Sequence, residues 1–181
     1  MNKYQELVVG KLTNVLNSTA EGFEDKILNL VAAAGRTFIG GAGRSLLVSR
    51  FFAIRLVHAG YQVSMVGEVV TPSIQAGDLF IVISGSGGTE TLLPLVKKAK
   101  SQGAKIVVIS MKAQSPMAEL ADLVVPVGGN DPQAFDKTHG MPMGTIFELS
   151  TLLFLESAIA KLVDDKNLTE EGMRAIHANL E

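Results

Sequence analysis

Residues 84–90 read SGSGGTE, three glycines and three hydroxyls in seven positions, directly after the apolar run LFIVI and directly before a segment of helical periodicity. Gly85, Gly87 and Gly88 allow positive φ and close backbone approach, while Ser84, Ser86 and Thr89 supply hydroxyls beside the free amides of a helix N-terminus. Such a turn is an anion cradle, and a phosphate ester is the anion it suits. A Gly/Ser cluster on its own is better read as a flexible capped turn; the strand-to-helix context decides for phosphate. A second turn, GGAGRS at 40–45, superficially suggests a dinucleotide fingerprint, but Leu46 stands where the third glycine belongs and no acidic residue ends the next strand. That excludes NAD here. SGSGGTE also lacks the Gly-Lys-Ser/Thr ending that nucleotide β- and γ-phosphates need. Gly43, Arg44 and Ser45 are left to reach a ligand from the opposite lip, against the plainer reading of a surface arginine and a helix cap.

The elements that must hold these turns follow a repeated pattern. Two amphipathic segments, about 3–17 and 22–34, open the chain as a helical hairpin, with Val8, Leu12, Val15 and then Phe23, Ile27, Leu30, Val31 on one face. RTFIGGAG is a strand ending in glycines, followed by a helix from Ser45 to Ala59 that stops at Gly60. YQVSMV and DLFIVI are strands, and TETLLPLVKKAKSQG is a helix closed by Gly103. AKIVVIS and ADLVVPV are strands separated by a helical turn near 115–120. A mostly apolar helix runs from Gly144 to Val163, and LTEEGMRAIHANL ends the chain as a helix with Thr169 at its N-cap. Five parallel strands with helices on both faces predict an α/β fold, a three-layer αβα sandwich with sheet order 2-1-3-4-5. Ligands bind such sheets beyond the carboxyl ends of the strands, at the switch between the first and third, where both glycine turns fall.

Bulk composition narrows the partners. The 181 residues suit one domain spanning 1–181, and 16 Lys and Arg against 18 Asp and Glu leave no basic excess for a nucleic acid. There is no Cys, and the three His are scattered without a metal-binding pattern, so nothing here demands a metal. No export signal is visible, and apolar runs break within about ten residues, short of the ~20 that a spanning helix needs. A cytoplasmic protein, off the membrane, is the expectation.

IGGAGRS, RLVHAGYQVSMVGEVVTPS at 55–73, ISGSGGTE and PMGTIFELS at 142–150 together make the chain resemble the sugar isomerase (SIS) domain family, and within it the 6-phospho-3-hexuloisomerases. The resemblance runs from the helical hairpin to the terminal AIHANLE. SGSGxT marks SIS domains in general; VGExxTP and PMGTxFE are more specific. The resemblance implies interconversion of D-arabino-hex-3-ulose 6-phosphate and D-fructose 6-phosphate, without a metal or cofactor, by a dimer of dimers that is functionally linked to a hexulose-phosphate synthase.

That isomerisation needs a base to take the proton from carbon 2 and return it at carbon 3 through an enediolate. A Glu on an otherwise apolar helix suits the task, and Glu148 in GTIFELSTLLFLE matches the Glu of PMGTxFE, against the plainer reading of a first-turn carboxylate favouring the helix dipole. The family often carries a second acid next in line, where this chain has Leu149. Glu68, after the second strand, ranks next as base or as a contact to a sugar hydroxyl. His58 reads as a helix-end cap. His177 resembles the His near the C-terminus of related enzymes that moves protons between substrate oxygens, sometimes across a subunit boundary. Thr145, Arg44 and the turn amides are candidates to stabilise the enediolate. The loop GGNDPQAFDKTHGMPMG, with Lys137 and His139, is expected to fold over the sugar. Two other functions share SGSGxT: an arabinose 5-phosphate isomerase and a non-catalytic sugar-phosphate sensor. The first usually carries sensing domains, and the second a DNA-binding module, that this chain lacks.

Overall fold

A computed structural model describes residues 1–129, 134–135 and 140–180. Lys137 and His139 lie outside the described residues. Five strands, β1 (Thr37–Gly41), β2 (Val63–Met65), β3 (Leu79–Ile83), β4 (Lys105–Ser110) and β5 (Leu123–Pro126), form one parallel sheet in the order β2-β1-β3-β4-β5 that the sequence predicts. All five residues of β3 are buried. A strand covered on both faces has no solvated side, which is why LFIVI reads as an unbroken apolar run rather than an alternating one.

The two faces are covered unequally. Ile39, Ile81, Ile83, Val107 and Ile109 point into the larger core, under α1 (Lys3–Asn17), α2 (Phe23–Ala33), α3 (Arg44–His58) and α5 (Thr145–Asp165). Their neighbours Phe38, Phe80, Val82, Ile106 and Val108 point the other way, toward α4 (Leu93–Ser101) and a single 3-10 turn at Ala118–Leu120. Asn2 starts α1 with a capping box: its Oδ1 accepts from the amides of Tyr4 and Gln5 at 3.0 Å, and its own amide donates to Gln5 Oε1 at 2.9 Å. At the amino edge of the sheet Asp78, 5% exposed, accepts two hydrogen bonds from Arg36 and one from the Gln75 amide.

Two helices differ from their sequence-based bounds. The fourth begins at Leu93, not at the glycine turn, because Pro94 stands in its first turn. Proline has no N–H and its ring opposes a carbonyl four residues back, so a helix tolerates it only near the start. Residues 84–92 are therefore a chain of turns, and the amides beside the hydroxyls belong to that loop rather than to a helix end. The terminal helix, α6, is short, Glu170–Ala175; Thr169 caps it by accepting from the Gly172 amide at 3.1 Å. His177 sits just beyond it. Among the described residues no helix is long and apolar enough to cross a membrane.

Candidate active site

α3 and α5 lie side by side on the larger core, and both begin at the carboxyl edge of the sheet, so their first turns flank the glycine loop. In that loop Ser84 is buried at 2% exposure, and its Oγ lies 2.9 Å from Thr89 Oγ1. The Gly87 amide donates to the Ser84 carbonyl at 3.0 Å, and the Gly88 amide to Ser86 Oγ at 3.2 Å. Gly87 has φ +63°, and a Cβ placed on it would stand 2.1 Å from Ser115 Oγ. Only glycine fits there. The loop is thus a small ring of hydroxyls and amides, with Ser86 exposed and Ser84 held beneath.

The opposite lip comes from the start of α3. Gly43, at φ 57°, is its N-cap residue, and Arg44 and Ser45 open the helix. Arg44 Nε makes an ion pair with Oε2 of Glu148, 104 residues further along the chain. The arginine side chain is more than half exposed, whereas Glu148 is 12% exposed. Glu148 also folds back over its own helix start, since a Cβ on Gly144 would meet its Oε1 at 3.0 Å. What sets α5 against the loop is Phe147, buried beside Glu148: its ring is 3.1 Å from where a Gly85 Cβ would be. Thr145 spends its hydroxyl on the Pro142 carbonyl at 2.7 Å.

The structure therefore brings Ser84, Gly85, Gly87, Thr89, Arg44 and Glu148 to one edge. It does not bring every candidate there. Glu68, half exposed, pairs with Arg50 on the outer side of α3 at 2.5 Å. His177 stacks on the buried His58, ring centroids 4.9 Å apart, at the far end of α3. Arg44 and that end are the two termini of a fifteen-residue helix, fourteen steps or about 21 Å apart at 1.5 Å per residue. With Arg55 and Met173 the two imidazoles line a cavity of about 310 Å³.

Supporting residues that the sequence did not single out are Ser110, Met111, Ser115 and Phe147. Ser110 Oγ donates to the Gly85 carbonyl at 3.2 Å, and the Met111 amide donates to the same carbonyl at 3.1 Å. The only sequence signal for Ser110 and Met111 was the end of a strand beside the switch point, and for Phe147 its place next to a candidate base; Ser115 had none. Among the described residues no group of three or more His, Cys, Asp or Glu is placed to hold a metal ion.

A family model described as the SIS domain matches residues 30–141, more than half of the chain. The chain belongs to the SIS domain family. The stretch matched in this SIS domain takes in both glycine turns, while Glu148 and His177 lie beyond it. Over the full length of both chains the SIS protein is 90% identical to 3-hexulose-6-phosphate isomerase of Methylomonas aminofaciens. It is 35% identical to the Bacillus subtilis protein of the same name, over 96% of this chain and 97% of the other. A crystal structure from Methanococcus jannaschii, reported as inferring a 3-hexulose-6-phosphate isomerase function, has TM-score 0.87 at 34% identity, covering 99% and 100% of the two chains.

Proposed function

We propose that this SIS domain, spanning the chain, interconverts D-arabino-hex-3-ulose 6-phosphate and D-fructose 6-phosphate. The observation that carries the reaction is 90% identity over every residue to a 3-hexulose-6-phosphate isomerase. The assignment of roles to residues rests on chemistry. The ester dianion sits on the hydroxyls of Ser84, Ser86 and Thr89 and the amides of the loop through Gly88, with Gly43, Arg44 and Ser45 opposite. Glu148 takes the proton from carbon 2 and delivers it to carbon 3, and the intermediate enediolate draws on loop amides and Arg44 for charge stabilisation.

The ion pair gives this reading a sequence of events. Arg44 occupies the Glu148 carboxylate. An incoming dianion competes for the guanidinium, and each step of Arg44 toward the ligand frees a carboxylate lone pair for carbon 2. Glu68, tied to Arg50, serves a sugar hydroxyl only if that surface pair opens. His177, a helix-length from Arg44 in its own chain, moves a proton between substrate oxygens in another copy's site, from the C2 hydroxyl to the ring oxygen of fructose 6-phosphate as the ring opens. The proposal extends to a homotetramer in the cytoplasm, supplied with hexulose phosphate by a synthase in formaldehyde fixation through the ribulose monophosphate pathway.

Glu148→Gln tests the central role. The variant should bind fructose 6-phosphate within a few-fold of the parent and lose at least about 1,000-fold in turnover, the scale of a removed proton-transfer group. Undiminished turnover would remove Glu148 from the mechanism. Turnover of arabinose 5-phosphate in preference to hex-3-ulose 6-phosphate would overturn the substrate.

A further inference from the structure

The turn that leads into α5 carries its strain on an unexpected residue. The Thr145 amide donates to the Pro142 carbonyl at 3.2 Å, closing a turn over residues 142–145, and φ is +52° at Met143 and −85° at Gly144. Positive φ at the first central position alone marks a type II′ turn, where glycine is the rule and a side chain is disfavoured. Here the glycine stands one position late. It is needed there, because a Cβ on Gly144 would lie 3.0 Å from Glu148 Oε1 and 3.3 Å from Glu148 Cδ. The carboxylate folds over Gly144, and the strain falls on the neighbour.

Met143 is 97% exposed, so packing against the described residues does not offset that strain. The other described non-glycine at positive φ, Asn167 at 49°, is of a type that visits this region readily. Methionine is not. A strained residue kept where glycine would fit, with an apolar side chain that its own chain leaves uncovered, points to a contact made during function.

We propose that Met143 is a substrate-contacting specificity residue, its thioether lying on the carbon chain of the sugar phosphate beside the carboxylate that takes the proton. Placement follows from the turn: Met143 is one Cα step, ~3.8 Å, from the glycine under the Glu148 carboxylate. Chemistry selects the residue type. In the reading above, on which this inference rests, the glycine loop and Arg44 meet the ester and the charged oxygens, which leaves the C–H face of the sugar to be covered. Methionine is unbranched, adaptable and polarisable, so it follows such a face closely. It has no acidic proton and no strong base to compete with Glu148, and it displaces water from beside the enediolate. A contact to carbons and not to the ester distinguishes a sugar phosphate from bare phosphate.

Oxidation reads that contact directly. Met1 and Met143, 79% and 97% exposed, are the most accessible methionines among the described residues, and dilute hydrogen peroxide should convert both to sulfoxides first. Peptide mass spectrometry should show saturating fructose 6-phosphate slowing oxidation of Met143 at least about 5-fold with Met1 unchanged, and inorganic phosphate slowing neither. Met143→Gly should raise Tm by about 2–4 °C by relieving the positive φ, and should raise KM for hex-3-ulose 6-phosphate at least about tenfold. Met143→Leu, which keeps an apolar chain, should hold KM within about threefold. A Met143 that resists peroxide in the free protein, equal protection by inorganic phosphate, a glycine variant with the parental KM, or one with a lowered Tm would each overturn the role. Fructose 6-phosphate that fails to bind the parent overturns the isomerase reading and this inference together. If it binds and leaves Met143 unprotected, only the role of Met143 falls, and the Glu148→Gln result stands.

Discussion

Gly87→Ala probes whether the glycine loop owes its shape to one missing methyl group. The added Cβ would stand 2.1 Å from Ser115 Oγ and 2.5 Å from Ser115 Cβ, with Ser110 Oγ at 3.4 Å. A left-handed alanine costs about 1–2 kcal/mol before any contact is counted. Relieving the contact means moving Ser115, whose Oγ accepts from the Ala118 amide at 3.1 Å and so starts the 3-10 turn; losing such a cap costs about 1 kcal/mol. Overpacking of the Cβ pair adds a further 1–3 kcal/mol or so. The expected loss is about 4 kcal/mol, measurable by urea unfolding and still within the stability of an ordinary domain. Ser115→Gly removes both close atoms. In the double variant the contact penalty should disappear while the φ penalty stays, a coupling of about 2 kcal/mol in a double-mutant cycle. Fructose 6-phosphate affinity should fall at least tenfold in Gly87→Ala and recover in part with Ser115→Gly. A loss below about 1 kcal/mol, or strictly additive single effects, would refute the claim that Ser115 sets the loop.

Asp122→Asn concerns the opposite edge of the sheet. The Asp122 carboxylate accepts from the Ile106 amide at 2.9 Å and from Lys100 and Lys105 at 3.0 Å each. Burial works against its charge, but these donors outweigh it and hold its pKa below the ordinary 3.8. The unfolded chain thus binds this proton more tightly than the folded one, so the stabilisation is complete above that value and is lost as pH falls through it. The variant should be about 1–2 kcal/mol less stable at pH 7, and the difference from the parent should vanish once pH has fallen below the lowered folded-state pKa, read from urea midpoints at each pH. Asp78→Ala should cost about 1–2 kcal/mol, a fall in Tm of roughly 2–8 °C, because it leaves the partly exposed Arg36 and the Gln75 amide without their shared acceptor. His177→Gln should slow conversion of fructose 6-phosphate more than its formation, since a 3-ketose esterified at oxygen 6 cannot close a five-membered ring and needs no opening. Equal loss in both directions would count against that role.

Sheet order and helix placement were legible because the strands are short β-branched runs bounded by glycine, and the crossover rule leaves few arrangements for them. The late start of α4 was legible too, through Pro94, but helical periodicity in TETLL overrode it. The terminal helix stops early because Ile176 and Leu180 lie at 50% and 98% exposure, with little core to hold a longer one. The glycine loop announced itself by its composition together with its place at the end of an apolar strand. What supports it did not. Ser115 is an unremarkable serine until Gly87 is seen against it, and Phe147 reads as core. The Arg44–Glu148 pair joins residues 104 apart, and no local pattern foretells which arginine a distant carboxylate will meet. The stacking of His58 on His177 is equally a product of tertiary packing, with each histidine alone reading as a helix-end residue.

Phe147 resting on Gly85 makes a benzene ring the spacer between the loop proposed to grip the phosphate and a carboxylate. The separation of the two is then fixed by the girth of one side chain, not by the reach of a flexible loop. A chain of this architecture that accepted a sugar one carbon shorter or longer would have to regauge that spacer first, at 85 or 147, before any change in the residues that touch the substrate took effect.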